Sequence, residues 1–188
     1  GGLVWAYLGP LPAPELPRWE FLVRPNSMRD IGLSVLPCNW LQIQENSLDP
    51  VHLEWLHFDF SNYVLEQLGR TPDVEVHQHK KIAFDVFEHG IIKRRMYKGE
   101  DESSPNWTRG HQILFPNILA VGTGDSLSVQ IRVPQDDEST IIYWYNCRPR
   151  AKGAAPRKDV PISDNPFLDR DGNFLNNWGE GMFPRAHG

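Results

Sequence analysis

Pro50 falls in the middle of the longest helical pattern of the chain, which runs from Asn39 to about Leu68. An interior proline removes a backbone donor and clashes with the carbonyl one turn earlier, so one straight helix is excluded. Asp49 is a natural N-cap, and proline is favoured at the first helical position. The spacing predicts two helical segments meeting at Asp49-Pro50. That junction lies in ENSLDPVHLEWLH, residues 45–57. On an ideal helix Glu45, Asp49 and His52 point within about 60° of one another, in the sector of Leu41, Leu48 and Leu56. Leucines there are expected to face a core, and two carboxylates and an imidazole beside them call for a reason.

The rest of the chain reads as β-structure. Residues 74–98 (VEVHQHKKIAFDVFEHGIIKRRMYK) alternate over two strands with a turn near His89-Gly90. QILFPNILAV, LSVQIRV and TIIYWYN follow as further strands. Leu3 to Leu8 also reads as a strand, and residues 10–30 as a proline-rich connector. Lys80-Lys81 and Lys93-Arg94-Arg95 are expected on a solvated strand face. The sum is an α+β domain, 31–188, with an antiparallel sheet wrapped around a long helical region.

Composition bounds the function. No apolar run reaches the ~20 residues of a membrane span, and there is no signal-peptide pattern. A net charge of -5 argues against a nucleic-acid surface. The only cysteines, Cys38 and Cys147, form no Cys-x-x-Cys motif, and reduced thiols in a cytoplasm are expected. The chain starts at Gly1 rather than methionine and is expected to be a piece of something longer.

Two histidines plus one carboxylate with open positions is the donor set of non-heme Fe(II) sites. His52 and His57 are five residues apart, which on an α-helix separates them by about 140°. They converge only if the helix is locally unwound, as by a π-bulge. Asp49, three residues before His52, is placed to accept its ring N–H and fix the tautomer.

CNWLQIQENSLDPVHLEWLH, residues 38–57, resembles the mononuclear-iron motif of the Rieske non-heme iron ring-hydroxylating oxygenases. GGLVWAYLGP looks like the strand that closes that family's Rieske domain. HQILFPNILAV and IRVPQDDEST resemble segments of its phthalate dioxygenase-like and aromatic O-demethylase-like branch. The resemblance implies a helix-grip fold. It implies His52 and His57 as iron ligands, Asp49 as the residue bridging to a neighbouring subunit's Rieske cluster, and Asn46 as a non-ligating neighbour. It further implies mononuclear Fe(II), a 2Fe-2S cluster in the full-length enzyme, an NADH-dependent reductase (with or without a ferredoxin), O₂, an aromatic substrate, a homotrimer and a bacterial cytoplasm.

Two departures stand out. The Cys-x-His and Cys-x-x-His pairs of the Rieske domain are absent, and residues 1–9 are read as that domain's closing strand. The third, carboxylate ligand is missing from its expected place, where the chain reads NNWGEGMFPRAHG; Glu180, Asp171, Asp169 and Asp164 are the candidate substitutes. The chain is therefore expected to be an inactive fragment on its own. Phe84, Phe87, Phe115 and Trp144 are candidate pocket residues. The competing reading is a helix-grip cup that binds a hydrophobic ligand without catalysis, which has no need to keep Asp49, His52 and His57 together.

Overall fold

The computed structural model describes residues 2–121, 125–156 and 159–164. A short helix α1 (Glu20–Val23) precedes β1 (Ser27–Leu36). Then come α2 (Trp40–Leu48), a π-helix (Leu53–Asp59) and α3 (Phe60–Gln67). Strands β2 (His79–Phe87) and β3 (Gly90–Tyr97), the short helix α4 (Pro105–Thr108), β4 (His111–Leu114) and β5 (Ile118–Val121) follow. β6 (Leu127–Pro134), β7 (Thr140–Pro149) and β8 (Ile162–Asp164) complete a single eight-stranded sheet in the order β2-β3-β4-β5-β6-β7-β1-β8. All its pairings are antiparallel except β1 with β8. This is the mixed α+β class expected.

The sheet has two differently used faces. On one, Ile31, Val129, Ile131, Tyr145 and Cys147 close over Phe21 of α1, with Leu3, Trp19 and Val160 packed around them. On the other lies α2, its Ile43 and Gln44 bonded to Arg132 of β6 and its Ser47 to Lys93 of β3. Asn39 fixes the entry to α2. Its side chain accepts the Leu41 N–H at 2.9 Å and donates to the Asp137 carbonyl at 2.9 Å. Asp136 in turn accepts the N–H groups of Glu138 and Ser139, so the Asp136-Asp137 turn both closes the β6–β7 hairpin and anchors the helix.

Several expectations are corrected. Leu3–Leu8 is not a strand; Leu3 packs against the core on one sheet face, while Val4 and Leu8 are exposed. Residues 27–30, read as connector, are the start of β1, whose Gly and Ser positions weaken its alternation. Leu41 and Leu56 are exposed, and so is Glu45, because α2 presents Gln44 and Ser47 to the sheet. Lys80 and Lys81 are exposed as expected, whereas Lys93 and Arg95 are buried at 4% and 5% exposure. A period of two from Ile91 carries both inward, and helix carbonyls receive the lysine.

Candidate metal centre

The junction folds as the proline dictates. α2 stops at Leu48, and the Asp49 carboxylate accepts the N–H of Val51 at 2.8 Å and of His52 at 3.2 Å. This caps the restarted helix. Burial pushes the Asp49 carboxyl up, but these two N–H groups and the His52 ring outweigh it and hold it below the usual carboxylate value.

Immediately afterwards the helix widens. From Leu53 to Asp59 it is a π-helix, closed by the Phe60 N–H bonding back five residues to the Trp55 carbonyl. Five-residue bonding brings residues five apart onto one side, which an α-turn does not do. The rings of His52 and His57 accordingly face each other edge to face, their centroids 5.2 Å apart. The local unwinding expected from their spacing is present.

His52 Nδ1 lies 3.4 Å from Asp49 Oδ2, yet it is buried and makes no hydrogen bond. Burial pushes the His52 imidazole below its usual value, against the pull of Asp49 and with help from Lys93. His57 has an exposed edge, but the buried part of its ring, then His52, then Lys93, shift it the same way. Both rings are thus biased to the neutral form, with lone pairs to give. The cation behind them is Lys93, whose Nζ donates to the Ser47 carbonyl at 2.5 Å and reaches the Asp49 carbonyl at 3.5 Å. Burial, then Arg95, pull the Lys93 ammonium down to about 8.

Two neutral imidazoles and an unpartnered buried ring nitrogen fit two ligand positions of a soft-to-borderline metal ion. Among the described residues no group of three His, Cys, Asp or Glu side chains could hold a metal. Asp164 ends β8, at the sheet edge opposite β2. Glu180, Asp171 and Asp169 lie outside the described residues. Asn46 is exposed on α2.

Sequence reasoning missed a second imidazole–carboxylate pair. His79 has only 5% of its side chain exposed, and its Nδ1 lies 2.6 Å from Glu54 Oε1 in the π-helix. His111 is also buried deeply enough that its value falls to about 3, with Arg95 and Lys93 adding to the effect. Alternation along β3 and β4 was the signal available for Lys93, Arg95 and His111; nothing in the sequence links Glu54 to His79.

A cavity of about 310 Å³ lies elsewhere. It is lined by Leu3, Trp5, Ile31, Ile131, Tyr143 and Ile162, on the sheet face away from α2. None of Phe84, Phe87, Phe115 and Trp144 lines it. It carries no donor set for the chemistry at His52 and His57.

No family model matches the chain. Among curated proteins it is 42% identical to the oxygenase subunit of 5,5'-dehydrodivanillate O-demethylase from Sphingobium sp., over 93% of the chain and 40% of that relative. The phthalate 4,5-dioxygenase oxygenase subunit of Pseudomonas putida is 25% identical over 77% of the chain and 35% of its own length. The tert-butanol monooxygenase / tert-amyl alcohol desaturase oxygenase subunit of Aquincola tertiaricarbonis is 31% identical over 77% of the chain and 34% of its own length. The chain is a homologue of oxygenase subunits of ring-hydroxylating and O-demethylating systems. It spans about two fifths or less of the length of these three relatives. Among the described residues no helix is long and apolar enough to cross a membrane.

Proposed function

We propose that this chain is the mononuclear-iron domain, with a helix-grip fold, of an oxygenase that hydroxylates or O-demethylates an aromatic acid. The observation that carries the reading is the meeting of His52 and His57 across the π-helix. A binding cup gains nothing from widening a helix to juxtapose two neutral imidazoles. An iron site needs both.

His52 and His57 would hold Fe(II), and when bound the metal supplies O₂ activation with electrons that originate in NADH. The chain's own residues do the rest. Asp49 caps the helix beneath His52, its carboxylate 3.4 Å from the ring nitrogen and without a hydrogen bond to it. Lys93 fills the end of α2 and disfavours protonation of both imidazoles. Asp49 would also face a Rieske 2Fe-2S cluster on a neighbouring subunit of a homotrimer, reduced through a reductase partner. Asn46 would lie near the metal without ligating it.

The test is metal content after anaerobic Fe(II) reconstitution of the chain and of a His52→Ala, His57→Ala double variant. The reading expects near-stoichiometric iron that the double variant loses. Equal retention by both proteins contradicts it.

A further inference from the structure

Two buried polar atoms of the β2–β3 pair, Arg95 Nε and His79 Nε2, have no partner, and their hydrogen-bonding roles are complementary. Arg95 is 5% exposed; its Nη2 contacts the His111 ring nitrogens at 3.0 and 3.1 Å, while its Nε is buried without a hydrogen bond. His79 Nε2 is likewise buried and unpartnered. Both groups flank the Tyr97 ring. The His79 ring centroid is 4.8 Å from that of Tyr97, and the Arg95 guanidinium carbon 5.7 Å from it.

Their roles follow from their other contacts. The Glu54 carboxylate can only accept, so the proton of a neutral His79 ring sits on Nδ1, 2.6 Å from Oε1. His79 Nε2 is then a bare acceptor. Arg95 Nε–H is a donor, because guanidinium has no acceptor. Stranding either group in a dry site is costly, and more so for a charged one.

Further along the same strand pair the surface is apolar and exposed. The β2–β3 register pairs Ile82 with Arg95, Phe84 with Lys93 and Val86 with Ile91, placing all six on one sheet face. Phe84 is 51% and Val86 84% exposed, an uncovered apolar shelf beside the buried cation.

We propose that Arg95 Nε and His79 Nε2 form a subsite for the hydroxyl group of a phenolic ring lying on the Ile82–Phe84 shelf. The phenol oxygen accepts from Arg95 Nε–H and its O–H donates to His79 Nε2. One hydroxyl satisfies both orphaned atoms. A carboxylate serves Arg95 only, and a methyl ether has no proton for His79. Glu54 acts as a positioning residue, since it sets the His79 tautomer. This deepens the aromatic-substrate reading by naming the substituent recognised.

The test is calorimetric binding to the metal-free chain of 4-hydroxybenzoate against 4-methoxybenzoate and benzoate. A site built to hydrogen-bond a hydroxyl discriminates strongly against analogues lacking it. We expect at least about a ten-fold preference for the phenol, reduced to near unity in both His79→Phe and Arg95→Met. Circular dichroism identifies a variant that fails to fold, in which case the other reads the same ratio. Equal affinity for the three ligands, binding of none, or a preference that survives the substitutions overturns the proposal. Because no metal is present, its failure leaves the iron reading standing, and failure to bind iron leaves the phenol preference standing.

Discussion

His52 and His57 stand edge to face with ring centroids 5.2 Å apart, although five residues separate them in sequence. The π-helix makes this possible, and Asp49 starts it: its carboxylate takes the N–H groups of Val51 and His52, fixing where the chain resumes helical form after Pro50.

Asp49 therefore has two separable duties. Asp49→Ala removes the cap and is expected to cost about 1 kcal/mol, read as a lower denaturant midpoint. Asp49→Asn keeps a capping oxygen and is expected to lose about half of that or less. Equal losses in the two variants would mean that the carboxylate's charge, rather than its capping geometry, sustains the junction.

Arg132 is 2% exposed and donates to the Ile43 carbonyl, Gln44 Oε1 and Gln130 Oε1. Removing one partner of a buried polar cluster strands the others, whereas removing both is far milder. Arg132→Met is expected to destabilise by about 3 kcal/mol, and adding Gln44→Met to recover part of the loss. Strict additivity in this double-mutant cycle would contradict the coupling.

His111 gives the fold an acid-sensitive element. Its folded value is depressed to about 3, so the unfolded chain takes up the proton first. Its contribution is fully present above the unfolded value near 6.5 and is lost as pH falls from there towards 3, by up to about 1.4 kcal/mol per unit. Denaturant midpoints at pH 7, 6 and 5 should fall more steeply for the natural protein than for His111→Gln, which keeps an acceptor for Arg95. Parallel curves would show that other groups govern this range.

Gly90 opens β3 at φ 150°, and a Cβ built there would lie 2.0 Å from the Ile113 carbonyl oxygen. Gly90→Ala must push β4 away from β3, at an expected cost of about 3 kcal/mol or more. A melting temperature within a degree or two of the natural protein's would contradict this.

The helix break was readable because proline's chemistry is local and strict. The β2–β3 turn, β6 and β7 were readable from period-two alternation, and the π-helix from the mismatch between five-residue spacing and an α-turn. What escaped depended on tertiary partners. Lys93 and Arg95 look like a solvated basic cluster until the end of α2 is laid over the lysine and His111 of β4 is set against the arginine. His79 looks exposed until Glu54, 25 residues earlier, is folded against it. A helical wheel puts Glu45 in the leucine sector, but α2 turns Gln44 inward to meet Arg132.

The central claim, that the widened turn brings His52 and His57 together to hold iron, is tested most directly by following the histidine ring resonances during an anaerobic Fe(II) titration. The account predicts that the first equivalent broadens His52 and His57 first, with His89 unaffected until excess metal is added. Broadening that begins elsewhere, or none at one equivalent, would contradict it.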